Sequence, residues 1–124
     1  MLQFWMEGGW GMVPVTAFGL VMIAAAGRFA FDAEWLRLRF VAAMAGLLVA
    51  AMLHAMLIDA AAVFSFLSDP ARAPDADFAR VLCTGLMEST RPGALGGVLL
   101  VIALVLVAVG VSRNTTRELR SRAA

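Results

Sequence analysis

Between Ala94 and Val111 the chain carries 18 consecutive residues with no charge and no hydroxyl. About 20 apolar residues suffice to cross the hydrocarbon core of a bilayer as a helix, so this run constrains the fold more than any other feature. The rest of the chain agrees with it. Of 124 residues, 62% are hydrophobic, and the mean hydropathy is +0.87. Soluble domains are typically about 45–50% apolar. A chain this short has too much surface to hide the excess from water, and lipid removes the conflict because it is itself an apolar solvent.

Two further apolar runs precede the first. Trp10 to Phe31 is interrupted only by Pro14, Thr16 and Arg28. Pro14 falls in the opening turns, where a missing backbone N–H costs least. Gly8, Gly9 and Gly11 make the entry flexible, and Trp5 and Trp10 stand where interfacial aromatics anchor a span. The run from Phe40 to Leu67 exceeds the hydrocarbon thickness at ~1.5 Å per helical residue, so it must tilt or protrude. The expected fold is all-α: one membrane domain over 1–124, a transmembrane three-helix bundle with spans at about 10–31, 40–67 and 94–111. A basic tail, 112–124, follows.

The segment Ser68 to Pro92 is polar. Asp69-Pro70 and Ala73-Pro74 read as turns, and Asp75 suits a helix N-cap. Phe78, Leu82, Gly85 and Leu86 then fall near one face, with Val81 beside them, while Asp77, Arg80 and Glu88 keep the rest polar. This pattern predicts a short amphipathic helix between spans 2 and 3, lying on the membrane surface or capping the bundle, and ended by Arg91-Pro92-Gly93.

Orientation follows from the ten basic residues, all Arg. Arg28, Arg37, Arg39, Arg113, Arg117, Arg120 and Arg122 fall on one side of the membrane, and Arg72, Arg80 and Arg91 on the other. The positive-inside rule places the N-terminus outside and the C-terminus in the cytoplasm, in a bacterial inner membrane. The first dozen residues hold no basic side chain, so they lack the n-region of a cleavable signal, although Ala24-Ala25-Ala26-Gly27 has the small residues of a cleavage site. A formal net charge of +1 argues against nucleic acid as a partner. The single Cys83 excludes an internal disulfide framework; it suits burial under the amphipathic helix or a bond between subunits.

Asp59 is the sharpest polar feature. A carboxylate within a span ordinarily faces a bundle interior or a water-filled cavity. Small residues Ala51, Ala55 and Ala62 line up beside it, and Gly46 with Ala50 form a second close-approach pair, as do Gly19 through Gly27 on the first span. Asp59 is a candidate proton or cation relay; the competing reading puts it near the end of a long tilted helix, reaching interfacial water. His54 is about 140° away around the same helix, so it does not share Asp59's face. It is either a second relay group or a hydrogen-bonding contact between helices. Met52, His54 and Met56 carry ligands that suit copper(I), but alternate residues of a helix point apart, and apolar filling explains the methionines. Arg28 is an anchor that reaches headgroups and can pair with Asp32. The tail arginines set orientation or contact anionic lipid.

The signatures GxSxG, Walker A, HExxH and GxGxxG are absent, and one His excludes a multi-His metal site within the chain. The chain is therefore not expected to be an enzyme or to carry a cofactor.

The stretch Glu7-Gly8-Gly9-Trp10-Gly11-Met12-Val13-Pro14, followed by an apolar helix ending near Arg28, resembles the first span of the MotA/TolQ/ExbB proton-channel family. The resemblance implies an N-outside helix in an oligomeric ring that surrounds a partner helix and couples proton flow to mechanical work. It covers about the first quarter of the chain. The large cytoplasmic insertion that follows the first span in that family is missing, and Ala94 to Val111 offers no hydroxyl in place of its polar Thr, so no functional residue carries over. The function expected is a small non-catalytic membrane subunit that packs with copies of itself or with partner membrane proteins. The alternatives are a proton- or ion-conducting subunit using Asp59 with or without His54, and a copper-handling membrane protein.

Overall fold

The computed structural model describes residues 9–32, 34–69 and 78–123, and these are helical nearly throughout. Four helices follow in order: α1 (Met12–Asp32), α2 (Trp35–Ser68), α3 (Phe78–Ser89) and α4 (Arg91–Ala123). Three helical stretches are long and apolar enough to cross a membrane: α1, α2, and the stretch from Phe78 to Ser121 that contains α4. Trp5 and Asp75 lie outside the described residues.

The core follows a repeat of alternating three- and four-residue steps, the pattern of helices that wind around one another. On α1 the buried residues are Met12, Val15, Gly19, Met22, Ala26 and Phe29, with Ala30 beside the last; on α2 they are Val41, Met44, Leu48 and Ala55. On α4 the buried line runs Pro92, Gly96, Ala103 and Gly110, with Leu99 and Leu106 half-buried between them. Ser89 on α3 is one heptad before Gly96 and is also buried.

Glycines set the register. A Cβ on Gly85 would meet Val63, one on Gly93 would meet Met56, and one on Gly96 would meet Met52. These partners run in opposite directions, so α3 and α4 both lie antiparallel along α2. A Cβ on Gly19 would strike Leu99 and one on Gly110 would strike Phe29, partners that advance together, so α4 runs parallel to α1. Large side chains seat over positions with no side chain, which lets the helices approach closely.

The helices are unequal. α1 begins beside Ala55 and ends where α2 starts, so α2 projects past it together with α3. At the opposite end α4 runs on past the end of α1. The basic tail, expected beyond residue 111, is therefore a continuation of helix α4 to Ala123.

Arg91-Pro92-Gly93 marks a boundary with two sides: α3 stops at Ser89, and α4 opens at Arg91. Thr90 alone separates α3 from α4. Pro92 has no N–H, and its ring crowds the carbonyl four residues earlier, which interrupts the helix there. Ser89 and Thr90 donate their hydroxyls to the carbonyls of Leu86 and Met87, each at 2.8 Å, so the interrupted turn keeps its partners. The helix resumes as the Ala94 amide bonds the Thr90 carbonyl at 3.0 Å.

Candidate functional site

Two polar side chains of α2, His54 and Asp59, lie toward the end of the bundle where α1 begins. Gly9 enters α1 with φ +63°, a left-handed conformation that side chains disfavour. Its carbonyl accepts the Met12 amide at 3.3 Å, closing the turn. A Cβ on Gly9 would sit 3.9 Å from Asp59 Oδ1. Gly11, two residues on, lies so close to Ala55 that a Cβ there would overlap it. The two glycines thus do different jobs: one turns the chain beside Asp59, and the other lets α1 and α2 touch.

Asp59 is half-buried and borders two cavities. The larger, 590 Å³, is an apolar groove between α1 and α2; Trp10, Pro14, Ala50, His54 and Asp59 are among its walls. The smaller, 190 Å³, lies between α2 and α3 and is bordered by Gly9, Asp59, Glu88 and Ser89. His54 is exposed along the first of these. On an ideal helix His54 and Asp59 stand about 140° apart, yet both border the groove between α1 and α2. The sequence marks Glu88 only as part of the polar side of its helix, because that helix had no defined place beside α2. The signal that locates it is the line of small residues Ser89, Gly96, Ala103 and Gly110, which keeps heptad spacing across Pro92.

The small residues of α2 divide. Ala55 is buried and Ala51 half-buried against the chain's own helices, whereas Gly46, Ala50 and Ala62 are exposed. A Cβ on Gly46 would meet nothing within 4 Å. Ala42 is exposed as well. Ala42, Gly46, Ala50 and His54 therefore form one outward stripe at four-residue spacing. Gly19 is buried, while Gly27 has open space where a Cβ would stand.

Met52 and Met56 turn inward onto Gly96 and Gly93, away from the exposed His54, so these three residues are not brought together. Among the described residues no cluster of three or more His, Cys, Asp or Glu side chains could hold a metal ion. Cys83 is exposed.

The other end of the bundle is closed by arginines. Arg113 Nη1 donates to the Ala30 carbonyl at 3.2 Å, satisfying a free carbonyl in the last turn of α1. Arg37 bridges Asp32 and Glu34 across the α1–α2 turn. Asp32 is thus partnered by Arg37 instead of Arg28, and Arg28 is exposed. Trp10, at the far end of α1, is 90% exposed.

No protein family, no curated protein and no solved structure matches the chain.

Proposed function

We propose that this chain is a small, non-catalytic integral membrane subunit that crosses a bilayer three times and associates with copies of itself or with partner membrane proteins. The observation that carries the reading is the outward stripe Ala42, Gly46, Ala50 and His54 on α2. Small residues at four-residue spacing let a second helix approach its backbone, and a polar side chain beside them supplies a hydrogen bond across the contact. Large apolar side chains flank the stripe, including Leu57 at 68% exposure.

In this reading the hydrocarbon core extends from Trp10 to Asp32, since the 21 residues of α1 measure about 31 Å. The arginine bias then places Trp10 at the outer face and Arg113 at the cytoplasmic face of a bacterial inner membrane. The paired ends of α2 and α3 stand outside and cap the bundle. The mass of the particle after extraction in mild detergent tests the proposal: assemblies above one subunit are expected, and a strictly monomeric particle would sink it.

A second reading is an ion or proton route. The shared groove of His54 and Asp59 favours it, with Glu88 on the far side of Asp59. It accords with the resemblance of the first span to proton-channel subunits. Proton flux into proteoliposomes that is the same for Asp59→Asn as for the unaltered protein would exclude Asp59 as a relay.

A further inference from the structure

At the Arg113 end, a second groove of 490 Å³ opens between α1 and α2. Ala24 and Ala25 give it a shallow floor, Val21, Leu36 and Phe40 give it apolar walls, and Arg28 and Arg37 border it. The two arginines differ. Arg37 is neutralised by Asp32 and Glu34. Arg28 has no carboxylate within bonding distance among the described residues, and neither does the nearby exposed Arg39. Among the described residues, Arg28, Arg37 and Arg39 stand here against Asp32 and Glu34, while Arg113 is engaged on the Ala30 carbonyl. Arg28 is four residues inside the end of α1, so its backbone is about 6 Å deeper than Asp32, and its long side chain reaches back toward the boundary.

We infer that this groove binds one glycerophospholipid with a net-negative headgroup, its phosphate on the Arg28 guanidinium and one acyl chain along Ala24, Ala25 and Phe40. The inference rests on the membrane-spanning reading above. The apolar trough selects a lipid over a free phosphate, which has no use for it. The uncompensated charge selects an anionic lipid over a zwitterionic one, whose own ammonium already balances its phosphate. A planar guanidinium holds two phosphate oxygens at once. A helix from a second subunit fits less well, because it would bury Arg28 without a partner, a costly arrangement.

The test is native mass spectrometry of the full chain from detergent micelles doped with phosphatidylglycerol or phosphatidylcholine. One tightly retained phosphatidylglycerol per subunit is expected, at least fivefold preferred over phosphatidylcholine. Arg28→Gln should weaken retention about five- to tenfold, the size expected for losing one interfacial charge and its hydrogen bonds. Arg39→Gln should change it less than twofold. Ala24→Phe keeps every charge but fills the trough at an exposed position, so it should also release the lipid; it guards against a folding defect in the Arg28 variant. Equal retention of both lipids, unchanged retention in Arg28→Gln and Ala24→Phe, or an equal loss in Arg39→Gln would each overturn the site. Release of the protein from membranes by alkaline carbonate would instead overturn the membrane reading itself.

Discussion

Two stripes of small residues run along this molecule and meet opposite fates. On α4, Gly96 and Gly110 are covered by Met52 and Phe29, and Ala103 between them is buried. On α2, Gly46 has nothing within 4 Å of an added Cβ, and Ala42 and Ala50 lie exposed beside it. The first stripe builds the subunit; the second is left over once the subunit is built. A subunit with two small stripes can be held by its own chain on one and by another chain on the other.

Gly96→Leu should be the most damaging change. Its side chain would drive into Met52, and overpacking of this kind typically costs about 1–3 kcal/mol. Loss of helical signal at lower denaturant or temperature would register it, and unchanged stability would erase the distinction between the stripes. Gly46→Leu should behave in the opposite manner. The isolated subunit should keep its stability to within about 0.5 kcal/mol, as at most unobstructed surface positions. Its self-association should weaken about tenfold, read as a shift toward monomer on dilution in detergent. An intact oligomer would move the contact elsewhere.

Smaller effects belong to the arginines. Arg113→Gln should destabilise the bundle by about 1 kcal/mol, because it removes a charge-assisted hydrogen bond to Ala30 that is only partly sheltered. Proteolysis or hydrogen exchange should place the loosening in the last turn of α1. Arg37→Ala should cost no more than about 1 kcal/mol, since its two ion pairs are at the surface. A thermal shift as large as that of Gly96→Leu would show the α1–α2 turn to be a principal determinant of stability.

The three apolar helices were legible in the sequence because hydropathy marks where a chain can meet lipid. Helix ends were less so. Charges at 32–39 and beyond 111 mark where the apolar runs stop, but α2 already begins at Trp35 and α4 runs out to Ala123. Pro92 marks the break between α3 and α4 but not how soon the second begins: the residue that interrupts one helix is tolerated in the first turn of the next. Among the seam residues, Ala55 faces inward and Gly46 outward. A single helix presents small residues in several directions, and only its neighbours decide which are covered. Asp59 and His54 were legible as polar residues in a span, but their common groove required α1 beside α2.

The inequality of the helices has a mechanical side. In the proposed orientation, α2 and α4 overrun the hydrocarbon and are indifferent to a few ångströms of it, whereas α1 matches it end to end. A thinner or thicker bilayer would therefore act first on α1. That helix turns at Gly9 beside Asp59 at one end, packs Gly19 under Leu99 along its length, and meets Arg113 at the other end. In that reading α1 is the span whose length a change in bilayer thickness mismatches first.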